Sequence, residues 1–132
     1  LLVYPMLDDR TAYDAGVPRA AGMAWSQESN RFAWEAYLGA RVESSEPPAY
    51  AAPARREDLA GLAPAWIGVG DCDLFYDECV AYAEGLERSD VDCELCVVPG
   101  APHGFDVALP RSELARDFRR SQLAALQRWL FP

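Results

Sequence analysis

The sequence predicts an α/β protein built on a parallel sheet, and three observations carry that reading. Leu1-Leu2-Val3-Tyr4 and Ala65-Trp66-Ile67-Gly68-Val69-Gly70 are short, continuously apolar runs without alternation, as expected of strands covered by helices on both faces. A third strand is expected over 92–98, halted by Pro99-Gly100. Between and after these runs, apolar residues recur at three- and four-residue spacing, so the order is strand, helical excursion, strand, helix, strand, loop, helix.

The chain has 132 residues, of which 51% are hydrophobic, enough for one compact domain with a real core. Twelve basic against 21 acidic residues give a net charge of -9, which repels phosphate backbones and anionic lipid, so nucleic acid is excluded as a partner. No apolar run approaches the roughly 20 residues that span a bilayer. The first residues have no initiator methionine, basic segment or cleavage site, so they read as a strand entered midway rather than a signal peptide. A cytoplasmic location is the default expectation, with any targeting segment lying upstream of Leu1. Cys72, Cys79, Cys93 and Cys96 are too few and too irregular for a disulfide scaffold and are expected as reduced thiols.

Taken in order, Leu1 to Tyr4 is stopped by Pro5, and Asp8-Asp9-Arg10 form a polar turn. Residues 11–23, rich in Ala and Gly without a clear period, are expected as a loop. Ser26 caps a helix crowded with aromatics that runs through Phe32, Trp34 and Tyr37 to Leu38 and stops at Gly39. Pro47, Pro48 and Pro53 mark an extended stretch, and 55–62 is a short polar connection. After the second strand, Asp77 is expected to cap a helix carrying Cys79, Tyr82, Ala83 and Leu86. Ser112 caps a final long helix with Leu114, Phe118, Leu126 and Leu130 on or near one face. Three strands make a small sheet, and the first is so apolar that neighbouring strands are expected before Leu1.

The chain holds one histidine, His103, in the Pro/Gly-rich run Pro99-Gly100-Ala101-Pro102-His103-Gly104-Phe105 beyond the third strand. A lone histidine is more often structural than catalytic, but ligands in open α/β sheets bind at the carboxyl ends of strands, which is where His103 falls. Asp73, in Gly70-Asp71-Cys72-Asp73-Leu74-Phe75-Tyr76-Asp77-Glu78, follows the second strand. If the two strands are neighbours, Asp73 meets His103 and can hold its Nδ1–H and fix the tautomer. Asp71 is the rival for that role, displaced by a short slip of the loop. Cys93 and Cys96 form a Cys-x-x-Cys pair, but three residues along a strand point them to opposite faces and no second pair exists for zinc, so they read as core thiols. Gly68 and Gly70 begin a dinucleotide-binding pattern that fails at Asp73.

A strand followed by Gly-x-x-Asp-x-x-x-Asp-Glu, then a helix, a strand and Pro-Gly-x-x-His-Gly-Phe, resembles the closing half of the hormone-sensitive-lipase-like branch of the α/β-hydrolases. Tyr4-Pro5-Met6-Leu7-Asp8-Asp9-Arg10-Thr11, Glu28-Ser29-Asn30-Arg31-Phe32, Ala36-Tyr37-Leu38-Gly39 and Tyr50-Ala51-Ala52-Pro53-Ala54-Arg55 extend the resemblance through nearly the whole chain. It implies that residues 1–132 are the C-terminal part of an α/β-hydrolase domain, with Asp73 the acid and His103 the base of a Ser-Asp-His triad. Leu74 stands where the family usually has proline after the acid. The resemblance also implies that 11–60 includes a cap-related helical insertion, whose Trp25 and Phe32 either line the acyl or alcohol pocket or simply pack their helix.

That family carries its nucleophile on a Gly-x-Ser-x-Gly elbow and its oxyanion donors on a His-Gly-Gly loop, both earlier in the chain than the acid. No serine of this sequence has glycines at that spacing. The expectation is a carboxylic ester hydrolase of the esterase or lipase type, with a small ester as substrate and no metal or organic cofactor. Its partner is an N-terminal half that lies before Leu1 and brings serine and oxyanion loop. The chain alone is expected to be inactive and to self-associate, with a homo-oligomer possible. The competing expectation is a non-catalytic α/β module that pairs with another chain through its apolar first strand.

Overall fold

A computed structural model describes residues 1–14, 16, 24–39 and 47–131. Most of the loop expected over 11–23 therefore lies outside the described residues. Among the described residues the sheet has three parallel strands in the order β1 (Leu2–Val3), β2 (Ala65–Gly70), β3 (Cys93–Val98). β2 and β3 pair along their full length, from Ala65 opposite Cys93 to Gly70 opposite Val98. β1 is shorter than its apolar run because Tyr4 turns out of the strand at a φ of +34°. Among the described residues β1 pairs only with β2, and Leu2 and Val3 are half-buried.

Helix α1 (Gln27–Leu38) begins and ends where the sequence places it. Ser26 Oγ accepts the Ser29 N–H at 3.1 Å, and Gly39 leaves the helix at a φ of +60°. Its buried residues Asn30, Trp34 and Leu38, one per turn, pack with Ala12 and Ala52 against the 3-10 turn Asp9–Tyr13. Arg55, closing a second 3-10 turn (Pro53–Arg55), forks onto the buried Asp9 carboxylate at 2.7 and 2.9 Å. That pair ties the segment after β1 to the segment before β2.

Helix α2 (Tyr76–Arg88) corrects the expected cap. Asp77 is exposed inside the first turn and caps nothing; there its charge only complements the helix dipole. The loop's free N–H at Phe75 goes instead to Asp73 Oδ1 at 3.0 Å. A four-residue helix, α3 (Phe105–Ala108), in the stretch expected as a loop, follows Gly104 at a φ of +71°. Helix α4 (Glu113–Leu130) is capped by Ser112 as expected, but its inner face is Ala115, Phe118 and Ala125. Leu114 and Leu130 are 49% and 64% exposed. A helix seats small residues toward a sheet to approach closely, and the two leucines lie outside that stripe, on its margins.

The sheet divides two cores. Ile67 and Val69 face α2 with Leu74, Phe75, Cys79, Ala83 and Leu86; Trp66 faces α4 with Phe118, Ala125, Val98 and Phe105. Trp66 is fully buried and its Nε1–H finds Ser121 Oγ at 2.9 Å, so its burial contributes on the order of 4–6 kcal/mol without an orphaned donor. Cys93 joins the α2 side and Cys96 the α4 side, so the expected opposite-face arrangement of the two thiols holds. All four cysteines are free.

The glycines of β2 have steric causes. A Cβ on Gly68 would fall 2.1 Å from Trp66 Cη2, and one on Gly70 would fall 1.9 Å from the Ala101 carbonyl oxygen. Gly70→Ala is therefore expected to destabilise by about 2–3 kcal/mol, because backbone must move. Gly100→Ala, at φ +71° with open space around it, is expected to cost about 1 kcal/mol from conformation alone. Urea unfolding of the two variants measures both; an unchanged midpoint for Gly70→Ala would contradict the close approach.

Candidate active site

Gly70 and Val98 end two paired strands, so the loops that follow start side by side and are laced by backbone hydrogen bonds. Asp71 N–H donates to Val98 O and Cys72 N–H to Ala101 O, each at 3.2 Å. The Gly100 N–H, freed by the left-handed turn there, donates to Asp71 Oδ1 at 2.6 Å. Asp71 is thus an exposed staple between the two loops, and the carboxylate against His103 Nδ1 is that of Asp73.

Asp73 points inward. Its N–H donates to Gly70 O and its C=O accepts from Tyr76 N–H, both at 3.2 Å, which closes a tight turn into α2. Its side chain is fully buried, and its carboxylate lies 3.0 Å (Oδ2) and 3.3 Å (Oδ1) from His103 Nδ1. A carboxylate only accepts, so the Nδ1 position carries the proton and Nε2 is left with its lone pair. Nε2 has no hydrogen-bond partner among the described residues. The arrangement is an imidazole held in one tautomer by a buried acid, with its basic nitrogen available.

Three rings surround the imidazole. Tyr4 meets it at 4.4 Å between centroids, Phe75 edge-on at 5.5 Å and Trp25 at 5.9 Å. Of the two pocket candidates read from sequence, the structure brings Trp25 to His103 and leaves Phe32 73% exposed. Phe32 lies two residues from Asn30 and from Trp34, about 200° around the helix from its buried stripe. Tyr4 and Phe75 went unnoticed in the sequence because both read as ordinary strand-end and helix-start apolar residues. The available signal was their position, each at the end of an element that runs toward the same edge.

Among the described residues no group of three or more His, Cys, Asp or Glu side chains is placed to hold a metal ion. No helix among them is long and apolar enough to cross a membrane.

Residues 1–107 match a family described as the alpha/beta hydrolase fold. The chain belongs to the α/β-hydrolases, in their hormone-sensitive-lipase-like esterase and lipase branch. It is 29% identical over 105 residues to an ethyl acetate hydrolase of Pseudomonas putida, covering 80% of this chain and 32% of that protein. It is 33% identical over 73 residues to esterase LipI of Mycobacterium tuberculosis, covering 55% of this chain and 23% of that one. Among solved structures, esterase LipW of Mycobacterium marinum superposes with a TM-score of 0.86 at 33% identity, covering 99% of this chain and 40% of LipW. A bacterial heroin esterase superposes at 0.81 with 30% identity, over 96% of this chain and 41% of its own. The hydrolase chain thus spans about a third of the ethyl acetate hydrolase and about two fifths of each esterase structure.

One buried acid of this hydrolase chain stands apart from Asp73 and His103. Glu78, on the first turn of α2, accepts the Leu7 N–H at 2.6 Å and the Asp8 N–H at 3.3 Å on Oε1, and the Thr11 hydroxyl on Oε2. It thereby fastens the segment after β1 to α2. Burial raises its pKa from an ordinary 4.5 to about 7; the three donors pull it down, and the Asp8 carboxylate adds to the rise. The native state therefore keeps a proton that the unfolded chain releases between about pH 4.5 and about pH 7. Its contribution to stability is full below that window and falls by up to about 3 kcal/mol as pH rises through it. Glu78→Gln is expected to flatten that slope in urea unfolding compared with wild type across the same window. A parallel pair of stability curves would refute it.

Proposed function

We propose that this chain supplies the general base, His103, and its orienting acid, Asp73, of a serine carboxylic-ester hydrolase. The nucleophilic serine and oxyanion donors come from sequence outside residues 1–132. The observation that carries the reading is the buried Asp73 carboxylate 3.0 Å from His103 Nδ1, at the carboxyl ends of two adjacent parallel strands. Two facts support the second half: the sequence holds no Gly-x-Ser-x-Gly, and the chain covers under half of each relative described above. The side of β1 that pairs with no strand among the described residues gives further strands of the sheet a place to pair.

In the assembled site, Nε2 of His103 takes the serine proton as Oγ attacks the ester carbonyl carbon. The tetrahedral oxyanion collapses as the imidazolium returns that proton to the leaving alkoxide, giving alcohol and acyl-enzyme. Water then attacks the acyl carbon with the same nitrogen as base, and the proton goes back to serine Oγ as the carboxylic acid departs. Asp73 stabilises the imidazolium in both halves and keeps its charge throughout. Trp25, on the approach to α1, forms an aromatic wall beside His103, and the 11–60 segment that carries it includes a cap-related helical insertion over the ester. A small carboxylic ester suits this wall, in line with a relative named for ethyl acetate hydrolysis.

In the intact protein, His103→Ala is expected to lower kcat/KM for a short-chain p-nitrophenyl ester at least ~10³-fold, and Asp73→Asn by about 10³–10⁴-fold with the fold unchanged. Wild-type turnover by His103→Ala would sink the assignment. Residues 1–132 alone are expected to take up no serine-directed fluorophosphonate; labelling mapped to one of their serines would overturn the division of the triad.

A further inference from the structure

The site holds a strained residue that the mechanism leaves unused. Tyr4 sits at a φ of +34°, a left-handed backbone that a bulky side chain rarely adopts. Three contacts hold it there. Its N–H donates to Gly68 O at 2.7 Å, its ring meets the His103 ring at 4.4 Å with planes 61° apart, and its hydroxyl donates to Asp106 Oδ1 at 3.1 Å.

Asp106 lies three residues beyond His103, on the first turn of α3, with Gly104 at φ +71° turning the chain between them. That turn is itself anchored to α4: Phe105 packs on Phe118 at 5.0 Å, and Arg119 donates to the Asp106 and Pro110 carbonyls. The loop carrying His103 is therefore gripped twice, by Asp73 on the imidazole and by Tyr4 through Asp106. An imidazole with a single hydrogen bond can still swing about its Cβ–Cγ bond, so a rigid neighbour in contact with the ring decides how tightly Nε2 is aimed. Tyr4 is the nearest of the three surrounding rings and has a polar tether to the histidine's own loop.

We infer that Tyr4 and Asp106 form a positioning pair, in which Asp106 fixes the Tyr4 ring and the ring holds the His103 imidazole in the orientation that aims Nε2 at the reacting centre. The inference rests on reading His103 as the general base. Burial, and then the Asp106 charge, push the Tyr4 phenol up to about 12, so the tether stays protonated and donating through neutral and mildly alkaline pH.

The test measures kcat and KM of the intact protein on a short-chain p-nitrophenyl ester, together with the low-field Nδ1–H proton resonance of His103, assigned by its loss in His103→Gln. Tyr4→Leu is expected to lower kcat about tenfold with KM within about twofold, and to broaden the resonance through faster exchange with water. Tyr4→Phe keeps the ring and is expected to recover most of that loss, ending about two- to threefold below wild type. Asp106→Ala is expected to match Tyr4→Phe, and the double variant to fall no further, because both remove one interaction. Wild-type kcat and resonance in Tyr4→Leu, or additive losses in the double variant, would overturn the pair. Should Tyr4→Leu fail to fold, Tyr4→Phe and Asp106→Ala carry the test, and an unchanged resonance with unchanged kcat in both overturns it. If His103→Gln keeps wild-type turnover, the catalytic reading fails on its own, while the resonance in the tyrosine variants still reports whether Tyr4 holds the ring.

Discussion

The full-length parallel pairing of β2 with β3 is the constraint on which the site depends. Because Gly70 lies opposite Val98, two loops from distant parts of the sequence leave the sheet at the same level and in the same direction. Three short-range consequences follow: the loops share backbone hydrogen bonds, the Ala101 carbonyl crosses directly over Gly70, and Asp73 and His103 meet across 30 residues of sequence. A side chain at position 70 would push the histidine loop away from the acid loop. The glycine is thus a structural condition for the Asp73–His103 contact, although it touches neither residue.

Four acids within eight residues of the first loop and helix turn show how environment assigns roles to one chemical group. Asp71 is exposed and staples a backbone N–H. Asp73 is buried against an imidazole and a second backbone N–H, so its remaining acceptor capacity is directed at the site. Asp77 faces solvent in the first turn of α2. Glu78 is buried without a cationic partner among the described residues, and burial wins over three donors in setting its proton affinity. Only Asp73 combines burial with a partner whose protonation it can direct.

The segment after β1 is fixed at several points, by Glu78 at Leu7, Asp8 and Thr11, by Arg55 at Asp9, and by Gly68 at Tyr4. These ties are what allow Tyr4 to persist in a backbone conformation that costs on the order of 1–3 kcal/mol in isolation. Strain is sustained where surrounding contacts over-determine the position, and here those contacts belong to α2, to β2 and to the histidine's own loop.

The sequence by itself determined the strand-and-helix order, the serine caps at Ser26 and Ser112, the opposite faces of Cys93 and Cys96, and the nomination of Asp73 and His103. All of these follow from local chemistry: period, capping oxygens, turn residues and the position of a residue just past a strand end. The start of α2 and the two alanines beside Phe118 on the inner face of α4 escaped it. An aspartate near a helix start fits a cap and a first-turn position equally well, and leucines outrank alanines in any apolar pattern although alanines let a helix approach a sheet. Only the tertiary structure shows that Asp73 and not Asp71 meets His103, that Trp25 and not Phe32 is a ring beside it, and that Tyr4, Phe75 and Asp106 lie around it. Each of those outcomes depends on which strands are neighbours and at what register, and register is set by the whole sheet and its covering helices, not by any segment read alone.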